Sequence, residues 1–218
     1  MREKNLIISV VVVLIVTWLT AFFYYSKLPE MIPTHWNIDG QIDDYTSKPW
    51  GVYMLPSIST ATTLLLLLLP KISPKGFRLD SALRVYYIIT LLTAMFLLGI
   101  MLLMFHVALG KPLDITAWIL AGTGALMMII GNFLSKVPKN FFLGIRTPWT
   151  LASDKVWYKT HRLGAWVFIL SGLVIMIAAF TGASTGLILV LIGIMAIVPI
   201  LYSLYVYKKL EGFGGDEN

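Results

Sequence analysis

Cysteine is missing from all 218 residues, which excludes disulfides, thioether-linked haem, iron–sulfur clusters and cysteine zinc sites while leaving the redox compartment open. Histidine occurs three times and no His-Glu-x-x-His string is present, so the helix face on which metalloproteases hold zinc is lacking. Acidic side chains number 11, and none falls inside a long apolar run. A proton relay built from buried carboxylates therefore has no material, and the chain also lacks the internal repeats of many transporters. Charged residues make up only 13% of the composition, against 58% hydrophobic, and the mean hydropathy is +0.82. So little polar surface cannot cover a soluble globule, and the lipid bilayer becomes the expected partner.

The apolar runs count the spans. Residues 6–25 form an uncharged stretch of 20, enough for ~30 Å of hydrocarbon. Arg2 and Lys4 precede it as they would a secretory signal, but Tyr24, Tyr25 and Ser26 lack the small-x-small pattern of a cleavage site, so an uncleaved first helix is expected. Residues 52–69, closed by Pro70, then 85–110 and 115–135 give three more. Residues 163–207 carry no charge, and as one helix they would measure about 68 Å, roughly twice a bilayer. The turn-forming stretch 181–186 folds them into two helices, the second bent at Pro199.

Of the 17 cations, 14 fall at the termini and in the second and fourth loops, and only Lys27, Lys48 and Lys111 fall on the opposite side. This asymmetry puts both termini in the cytoplasm. It also explains a net charge of +6 without nucleic acid, since the cations flank apolar runs instead of forming a patch. Aromatic belts agree, with Tyr24, Tyr25, Trp50, Tyr53 and Trp118 at the outer boundary and Tyr86, Tyr87, Trp166, Tyr205 and Tyr207 at the inner one. The expected class is all-α: a polytopic integral membrane protein of six transmembrane helices. Residues 1–112 would form a three-helix region with an outward loop at 26–51, and 113–218 a second with a cytoplasmic motif loop at 136–162.

In the outward loop, Glu30, Asp39, Asp43 and Asp44 oppose Lys27 and Lys48, beside Trp36, Tyr45 and Trp50. Carboxylates with aromatic rings suit a cationic amphipathic peptide, the first steering it and the second giving apolar contact. Asn37 to Gly40 also reads simply as a turn, with Gly40 supplying positive φ and Pro33 stiffening the entry. His35, Asp39 and Asp43 have metal-binding chemistry but match no zinc motif, and no metal or other cofactor is expected. His106, the one ionisable group well inside an expected span, lies near a helix end and reads as structural.

The fourth loop is a polar, basic block. Thr147 before Pro148 and Ser153 before Asp154 are two helix starts, and two short helices are expected there. In the second, Lys155, Lys159 and Arg162 share one face and Trp157 and His161 another, as in a helix lying along lipid headgroups. Arg146 suits a bidentate clamp on a carboxylate or phosphate, whereas Gly144, Thr147, Pro148, Trp149 and Thr150 read equally as a partner site or a structural plug. An enzyme acting on a lipid headgroup through Arg146 and His161 would want an acid or nucleophile, and the block offers only Asp154 and hydroxyls, so no catalytic residue is assigned. A small transporter is the other alternative.

Two strings carry a resemblance: LPEMIPTHWNIDGQIDDYTSK at 28–48, and GIRTPWTL at 144–151 followed by Trp157 and Thr160-His161-Arg162. Together they resemble the SdpI family, membrane proteins typified by the immunity factor against a bacterial sporulation-delaying toxin. The resemblance spans most of the chain and implies a multi-pass protein of the bacterial plasma membrane that intercepts a secreted peptide toxin. It further implies a toxin-occupied receptor that holds a small helix-turn-helix repressor at the inner face. It draws attention to Pro33, His35, Trp36, Asn37, Gly40 and Asp43 on the toxin side. On the inner side it does so for Asn132, Gly144, Arg146, Thr147, Pro148, Trp149, Thr150, Trp157, Thr160, His161 and Arg162, without assigning their roles.

Overall fold

A computed structural model of the chain describes residues 3–37, 40–72, 82–182 and 185–213. Arg2, Asp39, Lys75, Arg78, residues 183–184 of the last turn and the tail from 214 lie outside the described residues. The element order is α1 (Glu3–Tyr25), β1 (Met31–Trp36), β2 (Ile42–Ser47), α2 (Trp50–Leu68), α3 (Leu83–Ala108), α4 (Ile115–Leu134), α5 (Pro148–Ala152), α6 (Asp154–Thr181) and α7 (Thr185–Leu210). All but α5 among the helices are long and apolar enough to cross a membrane, which gives six. Their outer surfaces match: Leu19, Phe23, Leu65, Leu189 and Leu201 are each more than half exposed, which suits hydrocarbon and not water.

Two compact units divide the chain, Met1–Lys71 with Tyr86–Gly122, and Ile72–Val85 with Thr123–Asn218. In the first, a core of Ala21, Leu28, Ile32, Val52, Met101, Met104, Phe105 and Ile115 ties the strands to the helices around them. Where no water is available, polar side chains must find partners inside. The Trp18 indole donates to Thr60 Oγ1 at 3.0 Å, and the buried Thr17 and Thr90 donate to carbonyls four residues back at 2.8 and 3.0 Å.

In the second unit, α4 and α6 meet through small residues at matching sevenfold spacing. A Cβ added to Gly124 would lie 2.5 Å from the Gly172 carbonyl, and one added to Gly131 would lie 2.9 Å from that of Ala165. Lipid supplies no hydrophobic drive between helices, so close backbone approach and dispersion contact hold such a pair.

Three expectations need correction. The chain is mostly helical and not all-α, because residues 31–47 pair as an antiparallel hairpin: Met31 faces Ser47, Ile32 faces Thr46, Pro33 faces Tyr45, His35 faces Asp44 and Trp36 faces Ile42. Pro33 thus sits inside β1 and not at a turn entry. Second, Pro70 does not close the second span, since the chain continues as a 3₁₀ turn over Leu69–Ile72, whose first turn does not need the proline's missing N–H. Third, the start at Ser153 opens no separate short helix. It caps α6, which runs 28 residues into the fifth span, ends at Gly182 in the left-handed conformation, and is followed by α7, which continues through Pro199.

Candidate functional site

The hairpin comes first. Its tip is closed by Asn37, whose carbonyl accepts from Gly40 N–H at 2.9 Å and whose side chain accepts from Gln41 N–H at 2.9 Å, with Gly40 at φ +77°. Across the strands, His35 Nδ1 and Asp43 Oδ1 are 2.5 Å apart at an exposed surface. Of the three residues with metal-binding chemistry, only this pair lies among the described residues.

The cations of the segment are turned onto their own neighbours. Lys27 Nζ lies 3.4 Å above the Phe23 ring, and Lys48 Nζ donates to the Leu28 carbonyl at 2.6 Å and faces Tyr25. Glu30, Asp43 and Asp44 are left exposed. Beneath the hairpin a cleft of about 320 Å³ is walled by Thr34, His35, Trp36 and Asn37 on the strand side, and by Met54 and Leu55 of α2, Ile100 and Met104 of α3, and Thr116, Ile119 and Leu120 of α4. Its walls are mostly apolar. His106, in the last turn of α3, borders a separate apolar hollow with Leu102, Leu103 and Trp118.

The inner block folds around two stacked rings of α6. Trp157 and His161, one turn apart and buried, stack with centroids 3.9 Å apart and planes at 20°. The indole N–H donates to the Val137 carbonyl at 2.8 Å. His161 Nε2 accepts from Ile145 N–H at 2.9 Å, and its Nδ1 donates to the Trp157 carbonyl at 2.8 Å. The two bonds fix the neutral Nδ1–H tautomer, because Nε2 must keep its lone pair for the amide. Both ends of the α4–α5 connection are thus pinned to one helix turn. Gly144 fits between them with φ +117°, and a Cβ there would collide with the imidazole.

Asn140 fills the middle of the connection. Fully buried, it donates to the Pro138 and Leu143 carbonyls at 2.8 and 2.9 Å and accepts from the amides of Phe142 and Leu143 at 2.8 and 2.7 Å. Thr147 and Thr150 form a reciprocal cap on α5, and the Thr147 hydroxyl also meets Ser203 of α7 at 3.0 Å. Ser153 donates to Glu211 at 2.7 Å, and Lys139 pairs with Asp154 at 2.6 Å.

The structure therefore sorts the inner motif into two sets. Gly144, Thr147, Thr150, Trp157 and His161 build a buried clamp. Thr160 is buried beside them, its hydroxyl without a partner among the described residues. Arg146, Pro148, Asn132 and Arg162 are exposed, and Trp149 is half-buried. Arg146 spends one guanidinium nitrogen on the Phe141 carbonyl and pairs with no carboxylate among the described residues. Sequence reasoning missed Asn140 and Ser203. An asparagine two residues after a proline was a turn signal for the first, but nothing pointed to the second.

Known proteins match along the same stretches. The model of the SdpI/YfhL protein family covers residues 136–203, and one described as a domain of unknown function (DUF1648) covers 12–60, which includes the hairpin. The immunity protein SdpI of Bacillus subtilis (strain 168) is 30% identical over 212 residues, spanning 96% of this chain and 99% of the relative. No solved structure matches the chain.

Proposed function

The chain belongs to the SdpI family, and from that footing we propose that this multi-pass bacterial plasma-membrane protein gives resistance to a secreted antimicrobial peptide, with the hairpin as its toxin-facing surface. The observation that carries the reading is the hairpin itself: it bears exposed carboxylates, its residues 34–37 wall an apolar cleft, and the neighbouring lysines are folded onto aromatic rings. A cationic amphipathic peptide is drawn in by the first and can lodge an apolar side chain in the second. The cation asymmetry supports placing both termini and the clamp on the cytoplasmic side.

On this reading, the exposed Arg146 and Pro148 and the half-buried Trp149 receive a small repressor once toxin is bound. Helix α4 is the element both functions share: Thr116, Ile119 and Leu120 near its start wall the cleft, and Gly124 and Gly131 further on pack against α6. The lipid-headgroup enzyme is disfavoured because both nitrogens of His161 are already engaged by backbone groups.

Expression in a host sensitive to the sporulation-delaying toxin peptide, followed by challenge with that peptide, tests the proposal. Survival above the vector control is expected. Unchanged killing at normal protein level removes the immunity reading.

A further inference from the structure

We propose that the crevice between the end of α4 and the start of α6 binds the headgroup phosphate of an anionic phospholipid. The crevice has a volume of about 330 Å³. It is lined by Gly131 and Asn132 of α4, by Ser135 and Lys136 just beyond that helix, and by Tyr158, Arg162, Ala165, Trp166 and Ile169 of α6. From Tyr158 to Ile169 the lining thus passes from hydrogen-bond donors to aliphatic groups over about 16 Å of helix, the polarity profile of a lipid from headgroup into acyl chain.

Charge selects the ligand's sign. No described carboxylate pairs with Lys136 or Arg162, so two cations face the same space without an internal anion. A guanidinium donates to two phosphate oxygens at once, and an ammonium adds a point charge. At Gly131 the two helices approach so closely that an added Cβ would lie 2.9 Å from the Ala165 carbonyl and from Phe168 Cβ, which closes the apolar side of the crevice. Trp166, 61% exposed, and Tyr158, 57% exposed, stand at the rim as aromatic side chains do at a membrane interface. A basic pocket between membrane helices is a recurrent lipid-headgroup site. The proposal is independent of the toxin reading and needs no repressor.

Native mass spectrometry of the full-length chain in neutral detergent tests it, with phosphatidylglycerol, phosphatidylcholine or inorganic phosphate added. Phosphatidylglycerol should be retained about tenfold better than phosphatidylcholine, and millimolar inorganic phosphate should not displace it. Arg162→Gln and Lys136→Gln should each weaken that retention about fivefold. Lys155→Gln, an exposed cation of α6 outside the crevice, should leave it intact. Equal retention of the two lipids, equal loss in Lys155→Gln, or displacement by inorganic phosphate overturns the proposal. Should one crevice variant fail to fold, the other carries the test.

Discussion

His161 shows how much a single ring does in this fold. It pairs with one amide and one carbonyl, stacks on Trp157 and forms the wall against which Gly144 closes. Replacing it by phenylalanine keeps the stack but leaves the Ile145 N–H unpaired. His161→Phe should therefore lose about 1–3 kcal/mol, read by thermal melting in detergent. An unshifted melt would mean that the clamp does not hold the connection. Arg146 makes the contrasting case: exposed and bound only to a backbone carbonyl, it should be replaceable by alanine at a cost within about 0.5 kcal/mol. Arg146→Ala should still lose toxin-dependent induction of a reporter, and normal induction would remove it from the repressor surface. The helix caps at Thr147 and Ser153 were legible in the sequence because capping is local chemistry. The bond from Ile145 to His161 was not, since it joins residues 16 apart that meet only when the connection folds back on α6.

At the scale of elements, the spans were legible because apolar run length is a strong signal, whereas the hairpin was hidden. Its strands are six residues each, one holds a proline, and the alternation is broken by irregular pairing on either side of His35. A two-stranded sheet of this size is marginal alone. What holds it is tertiary: Ile32, fully buried, sits in a core with Leu28, Val52 and Phe105. Ile32→Ala should cost about 2–4 kcal/mol locally and weaken protection against toxin without releasing the Trp157–His161 clamp. Hydrogen exchange would read this as faster exchange over residues 31–47 alone, and uniform protection there would contradict the assigned support. The start of α6 was misjudged for a related reason. A cap signals where a helix begins and carries no information about its length, so a start followed by basic residues looked like a short surface helix.

For the whole molecule, the account rests on a bilayer separating an acidic, aromatic hairpin from the clamp and the basic residues around it. The cation distribution was fully legible in the sequence, because the positive-inside rule needs only loop charges. The packing was not: the seven-residue match of Gly124 and Gly131 with Gly172 and Ala165 appears only once α4 and α6 are seen to be neighbours. The absence of native cysteine allows a direct measurement of topology. Single variants Asp43→Cys and Arg146→Cys, both at exposed positions, can be treated with a membrane-impermeant maleimide in intact cells and again after permeabilisation. The account predicts labelling of Asp43→Cys in intact cells and of Arg146→Cys only after permeabilisation. Labelling of both positions from the same side would contradict it.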